Sequence, residues 1–153
     1  MAQFRTRDAR PEEVERLTEL AIRSKRAWGY DDEFMRRVMP DMIVHRAYLE
    51  NERGIVAEGS GGDLVGYAIV RVGGKTAYLR DLFIEPQHFR SGVGRMLFGA
   101  ACEFARTHGA ESLTLDGDPN AIGFYKRMGM RQVGSERSIA GRGRMLPVMQ
   151  LDL

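Results

Sequence analysis

The apolar alternation of Tyr78-Leu79-Arg80-Asp81-Leu82-Phe83-Ile84 contains a slip: Leu82 and Ile84 are two residues apart, as on one face of a strand, but Leu79 and Leu82 are three apart. One extra residue, a β-bulge, accounts for it. A bulge turns backbone N–H groups out of the ladder, where they can meet a carbonyl oxygen or the oxyanion it becomes on nucleophilic attack. The other reading is a Leu79 merely placed differently, and the strand taken alone leaves both open.

The next residues, Glu85-Pro86-Gln87-His88-Phe89-Arg90-Ser91-Gly92-Val93-Gly94-Arg95, make a short loop with two glycines that runs into a long helix. Glycines let a backbone approach a phosphate closely, the first turn of a helix carries unpaired N–H groups, and the helix dipole adds roughly half a positive charge there. A pyrophosphate suits such a place. Two rival phosphate loops are excluded: no Gly-Lys-Ser/Thr ending follows, and position 97 is Leu where a dinucleotide fingerprint needs its third glycine. A bare Gly-x-Gly is as often structural as functional.

A further motif lies downstream, Asp116-Gly117-Asp118-Pro119-Asn120-Ala121-Ile122-Gly123-Phe124-Tyr125-Lys126-Arg127-Met128-Gly129-Met130. With the bulged strand and the glycine loop before it, the chain resembles the GNAT acyltransferase superfamily. That family has a Gln/Arg-x-x-Gly-x-Gly/Ala loop after a bulged strand and an Asn-Ala-x-x-Phe-Tyr-x-x-x-Gly-Phe segment. Here Phe89 stands where the loop has Gln or Arg, the basic residue is displaced to Arg90, and Met130 replaces the final Phe.

The resemblance implies an acetyl-CoA-dependent N-acetyltransferase that moves the acetyl group directly to a primary amine of a small molecule or peptide. In it Leu82, Phe83 and Ile84 orient the thioester through the backbone, Arg90, Ser91, Gly92, Val93, Gly94 and Arg95 hold the pyrophosphate, and Asn120 lies beside the pantetheine arm. Tyr125 points its hydroxyl at the CoA sulfur; a phenol of pKa about 10 keeps its proton at neutral pH and has it to offer as the thiolate, of about 8.5, departs. Without that context, Tyr125 reads as a core aromatic.

More loosely, Ser24-Lys25-Arg26-Ala27-Trp28-Gly29-Tyr30-Asp31 and Gly143-Arg144-Met145-Leu146-Pro147 are similar to a bacterial subgroup of small GNAT proteins. By that likeness Trp28 and Tyr30 line an acceptor pocket, with Asp31, Asp32 and Glu33 favouring a cationic amine; aromatics closing one end of the core beside solvated acids is the other reading. Asp81 and Asp116 are the carboxylates nearest in the chain to serve as base, Asp81 being preferred, and a water chain is the alternative.

These residues need a frame, and hydrophobic periodicity supplies one. Gln3 to Arg7 reads as a strand, a helix runs from Asp8 to about Lys25, and a second short helix spans Asp32 to Val38 before Pro40. Asp41 to Asn51 is ambiguous. Strands at Gly54–Glu58, Leu64–Val72 and Thr76–Glu85 form a meander around glycine-rich turns. A helix from Gly92 to His108 ends at Gly109; a strand at Glu111–Asp116, a helix at Asn120–Met128, and strands at Arg131–Ser138 and Met145–Leu151 complete β-α-α-β-β-β-α-β-α-β-β. The fold class is mixed α/β: a mostly antiparallel sheet of about seven strands flanked by about four helices, splayed between strands 4 and 5 as the resemblance implies. One domain, residues 1–153, holds it all.

Composition narrows the function classes. With 43% hydrophobic and 29% charged residues the chain is ordinary for a soluble globular protein. No apolar run approaches the ~18 residues that span a bilayer and MAQFRTRDAR lacks a signal-peptide core, so no membrane role and a cytoplasmic location are expected. The single cysteine, Cys102, sits in an apolar helical pattern and reads as inert. His45, His88 and His108 are scattered, and no metal is expected. Lys126 to Arg144 carries six basic residues, Arg142 among them, against Glu136 alone, a balance of +5. That stretch reads as a solvated basic face or as attraction for an anion, and no nucleic-acid motif accompanies it. Dimers are common among relatives, so a homodimer is possible. The rival from another class is a catalytically silent acyl-CoA sensor, which Phe89 favours and Tyr125 and Asn120 oppose.

Overall fold

The computed structural model describes residues 3–138 and 143–153; Arg142 of the basic stretch lies outside them. Seven strands form one sheet: β1 (Arg5–Asp8), β2 (Arg53–Glu58), β3 (Leu64–Gly73), β4 (Thr76–Ile84), β5 (Ser112–Asp116), β6 (Arg131–Arg137) and β7 (Met145–Asp152), in the spatial order β1-β2-β3-β4-β5-β7-β6. All neighbours are antiparallel except β4 and β5.

Five α-helices accompany it, one more than the sequence suggested: α1 (Val14–Arg26), α2 (Asp32–Met42), α3 (Arg46–Asn51), α4 (Val93–Thr107) and α5 (Ile122–Arg127). The ambiguous 41–51 stretch supplies α3. The end expected for α2 before Pro40 is not where the helix stops, for it runs on to Met42 with Pro40 inside. Proline in the last turn removes one N–H bond without ending the helix, because Met35, Val38 and Met42 bury one continuous stripe. The Asp31 side chain starts α2 by accepting the Phe34 N–H at 2.8 Å.

Each face of the sheet has its own core. On one, α4 and α5 lay Val93, Leu97, Ala101 and Tyr125 on Val70, Leu79, Leu113 and Leu115. On the other, α1 and α2 pack Leu17, Leu20, Met35 and Val38 against Val56, Tyr67 and Ile69. Fully burying one such leucine contributes about 1.5–3 kcal/mol. Cys102 lies in the first core, where burial raises its thiol pKa, as expected of an inert cysteine. No helix of the described residues is long and apolar enough to cross a membrane.

The slip in β4 is a bulge. Ile69 pairs with Asp81 and Val70 with Leu79, leaving Arg80 as the extra residue. On its other side β4 pairs with β5 only at Thr76, Ala77 and Tyr78, and the strands then part. The bulge and the parting together make the cleft described next.

Candidate functional site

Where β4 and β5 diverge, a cavity of about 740 Å³ opens between their C-terminal halves. Its walls are Leu79 to Ile84 of β4, Leu115 and Asp116 of β5, Arg90, Gly92, Gly94 and Arg95 at the head of α4, and residues around α5 that include Asp118, Asn120, Phe124 and Tyr125. Trp28 and Lys25 from the end of α1 close one side.

Strand alternation decides which groups of β4 face it. The Glu85 N–H bonds the Val65 carbonyl at 2.9 Å, so Glu85 and Phe83 direct their backbone toward β3, and Leu82 and Ile84 direct theirs into the cleft. These N–H and C=O groups have lost β5 as a partner, and a ligand with amides of its own can pair with them.

The 86–95 loop forms a cradle at the head of α4. Arg90 adopts a φ of 64° and Gly92 a φ of 92°, and together they turn the chain so that helix α4 starts at Val93, whose N–H meets the Ser91 hydroxyl oxygen at 3.4 Å, with the Gly94 and Arg95 N–H groups of the first turn left open. Ser91 steadies the turn by donating its hydroxyl to the His88 carbonyl at 2.5 Å. Gly94 also packs closely, since a Cβ there would sit 3.1 Å from the Phe124 ring and press on it. Phe89 stacks on Trp28 with ring centroids 5.7 Å apart, so the position that is Gln or Arg in the family pattern is here an aromatic joint between loop and α1.

Tyr125 is buried on the far wall. No buried side-chain oxygen or nitrogen among the described residues lacks a partner, and none of their hydrogen bonds involves the Tyr125 hydroxyl, so that hydroxyl opens on the cleft. Burial, with Asp118 and Asp81 adding to it, raises its pKa well above that of a free phenol. It holds its proton throughout the physiological range.

Asp81 lies across the bulge on the face of α1 and α2. Burial pushes its pKa up to about 6, against a hydrogen bond from the Tyr67 hydroxyl at 2.9 Å that favours the carboxylate. The group is therefore mostly ionised at pH 7 yet able to accept a proton, the condition for a general base. Asp116 takes a longer bond, 3.3 Å, from the Tyr78 hydroxyl, and its hydrogen bond with Glu136 raises the Glu136 pKa.

The remaining sequence candidates divide. Trp28 lines the cleft and Tyr30 does not. Asp31, Asp32 and Glu33 are exposed and spent locally: Asp31 caps α2, Asp32 pairs with Arg26 at 2.7 Å and Glu33 with Arg37. Asn120 lines the cleft, as do Arg90, Gly92, Gly94 and Arg95. The basic stretch divides too, for Lys126, Arg127, Arg131 and Arg137 are exposed whereas Arg144 turns inward toward Asp118.

Sequence reading missed four participants: Tyr67, Lys25, Asp118 and Arg144. The Lys25 ammonium lies 2.6 Å from Asp118, Tyr30 donates to the same carboxylate at 2.9 Å, and Arg144 reaches it at 3.6 Å. Burial alone would raise the Asp118 pKa; Lys25 outweighs it and holds the carboxyl below its usual range. Only Asp118 left a local trace, as the cap of the turn at Pro119: its side chain accepts the Asn120 N–H at 2.8 Å. The other contacts join residues far apart in the chain.

Comparison with known proteins bears on the family and the fold. The acetyltransferase (GNAT) family pattern matches residues 14–130. Streptothricin acetyltransferase of Streptomyces lavendulae is 34% identical over 94 residues, 58% of this chain and 50% of that protein. Glucosamine 6-phosphate N-acetyltransferase of Trypanosoma brucei brucei is 25% identical over 89 residues, 58% of this chain and 60% of that one. The matched chain thus spans about half to three-fifths of the length of these relatives. In fold, the PaiA N-acetyltransferase of Thermoplasma acidophilum in complex with coenzyme A superposes with a TM-score of 0.82 at 17% identity, all of both chains being covered. Nourseothricin acetyltransferase gives 0.75 at 24% identity over 99% of each chain. A sheet parted beside a bulged fourth strand, a glycine-turned helix start and a family pattern covering residues 14–130 lead to one statement: the chain belongs to the GNAT family of acetyltransferases.

Proposed function

We propose that the protein transfers an acetyl group from acetyl-CoA to a primary amine of a small molecule or peptide by direct attack, with no acyl-enzyme intermediate. The observation that carries the reading is the convergence on one cleft of inward backbone groups at Leu82 and Ile84, the open first turn of α4, and the Tyr125 hydroxyl.

These residues fit coenzyme A by their donor sets. The open N–H groups at the head of α4, Gly94 and Arg95, with the Arg90 and Arg95 side chains, suit a pyrophosphate, and the unpaired edge of β4 suits the amides of a pantetheine arm. Asn120 stands on the opposite wall beside that path. Coenzyme A supplies the activated acyl group as a thioester.

The chain's own groups then divide the work. Asp81 accepts the proton of the arriving ammonium and leaves a neutral amine. As the amine nitrogen forms its bond to the carbonyl carbon, the Leu82 and Ile84 backbone holds the thioester in line and an inward N–H meets the oxygen gaining charge. When the C–S bond breaks, Tyr125 gives its proton to sulfur, and the proton that the nitrogen sheds as the neutral amide forms returns to the Tyr125 oxygen through solvent in the cleft. The acceptor would enter on the face carrying Asp81, Asp116 and Tyr78, with Trp28 at the rim. Relatives named for an antibiotic and for an amino sugar support an amine acceptor in general. A homodimer belongs to the proposal through the family resemblance.

The test is amine-dependent thiol release from acetyl-CoA across polyamines, amino acids, aminoglycosides and peptides, wild type beside Tyr125→Phe. Release that falls in the variant supports the transferase. A second reading, a silent acyl-CoA sensor, is favoured by Phe89 in the loop; tight CoA binding without release from any amine would select it.

A further inference from the structure

Tyr30 sits behind the cleft wall at the centre of a hydrogen-bond cluster whose members come from three separate parts of the chain. Asp118 Oδ1 and Oδ2 each lie 2.9 Å from its hydroxyl, Arg144 Nη2 lies at 2.6 Å, and Asn120 Nδ2 at 3.0 Å. The ring is clamped, with Phe34 stacked on it at a centroid distance of 4.0 Å and Lys25 and Arg144 flanking the pair.

Counting protons at that hydroxyl fixes the Asn120 amide. A phenol has one hydrogen and two lone pairs, an ionised carboxylate only accepts, and a guanidinium only donates. Asp118 is ionised beside Lys25, so the single hydrogen goes to Asp118. Arg144 fills one lone pair, and the other must receive a donor. The group meeting it is therefore the NH₂ of Asn120, since the opposite flip would set two oxygens face to face with no proton between them. Its Oδ1 is then turned away from Tyr30. The Asn120 backbone cannot drift to compensate, because its N–H is tied to Asp118 Oδ1 at 2.8 Å.

We propose that Tyr30 is a positioning residue for the cofactor arm rather than part of the acceptor pocket: its hydroxyl holds the Asn120 amide with Oδ1 presented to the cleft, as acceptor for an amide N–H of pantetheine. This rests on the reading of the cleft as a coenzyme A site. Asp118 and Arg144 act with Tyr30, so Arg144, just before β7 and off the cleft wall, is coupled to cofactor affinity through this cluster.

The experiment is calorimetric titration of the full chain with coenzyme A, comparing wild type, Tyr30→Phe, Asn120→Ala and the double variant. Tyr30→Phe keeps the ring and its stacking and is expected to weaken binding about three- to tenfold, the effect of one lost hydrogen bond. Asn120→Ala should do the same, and the double variant should bind no worse than the weaker single one, because Tyr30 acts through Asn120. Asn120→Asp tests the point without touching Tyr30: it has the shape of the amide but no N–H for the hydroxyl, and is expected to bind more weakly than Asn120→Ala. Unchanged affinity in Tyr30→Phe, full additivity in the double variant, or wild-type affinity in Asn120→Asp would overturn the assignment. A wild type that binds no coenzyme A would instead sink the reading of the cleft on which it stands.

Discussion

The Tyr67 hydroxyl donates to Asp81 Oδ2 across 2.9 Å, linking a fully buried ring on β3 to the carboxylate beside the β4 bulge. That bond favours the charged carboxylate, and burial opposes it. The balance leaves Asp81 with a pKa of about 6.

A pH profile follows. Asp81 must be ionised to take a proton, so kcat/KM is expected to rise through about pH 6 and then level off. Tyr67→Phe removes the bond that lowers the Asp81 pKa and should move this acid limb to higher pH. Asp81→Asn should lower kcat/KM by about 10²–10⁴-fold near neutrality, the usual range for a lost general base, with partial recovery at high pH where free amine is abundant. A profile with no acid limb near 6 would remove Asp81 from the mechanism.

For Tyr125 the informative comparison is between turnover and binding. Tyr125→Phe keeps the ring in the core between α4 and α5 and deletes only the proton donor, so kcat should fall by roughly 10²-fold or more while the CoA dissociation constant stays within a few-fold. Equal losses in both would mean that the residue serves packing.

Gly94 offers a test by crowding. A Cβ at this position would lie 3.1 and 3.2 Å from two carbons of the Phe124 ring, and Phe124 adjoins Tyr125. Gly94→Ala is expected to cost about 1–3 kcal/mol in thermal or denaturant unfolding and to lower kcat by moving Tyr125. Shortening Phe124 to Leu in the same chain should recover part of both.

Acid stability is set at the opposite edge of the sheet. Arg7 grips Glu13 with two nitrogens, at 3.0 and 2.8 Å, and Glu58 with a third at 3.0 Å. The Arg7 bond holds Glu13 below its ordinary value of 4.5, and Arg7 with Arg5 does the same for Glu58. Folded pKa values below the unfolded ones mean that the unfolded chain binds more protons, so this contribution is complete above about pH 4.5 and is lost as pH falls through the depressed values. The wild-type Tm should drop steeply below pH 4.5, and Arg7→Met should show a lower Tm at neutrality with a shallower acid slope.

What the sequence disclosed and what it hid have a common physical origin. The slip that proves to be the bulge was legible because Leu79, Leu82 and Ile84 break a period of two within six residues, and the cradle because Gly92 supplies a left-handed backbone and Gly94 lies close against the Phe124 ring. Both signals are local. The continuation of α2 through Pro40 was not legible, since a proline's cost is visible in the sequence and the stripe of Met35, Val38 and Met42 that offsets it depends on a partner surface. The Tyr30 cluster was hidden more deeply: its bonds join residues 88, 90 and 114 positions apart, and no short window contains both ends. The acidic residues at 31–33 show the converse, because proximity in sequence to Trp28 did not bring them to the cleft wall that it lines.

The parting of β4 from β5 also bears on how this protein melts. The two halves of the sheet, β1 to β4 and β5 to β7, share a ladder of three residue pairs, Thr76 to Tyr78 against Ser112 to Thr114. A ligand threaded beyond the last pair does the job of missing rungs, so occupancy and folding draw on a single free-energy scale. At a hundredfold excess over its dissociation constant such a ligand adds about 2.7 kcal/mol to unfolding. The supply of coenzyme A would then govern how long the chain survives a heat challenge as well as how fast it works.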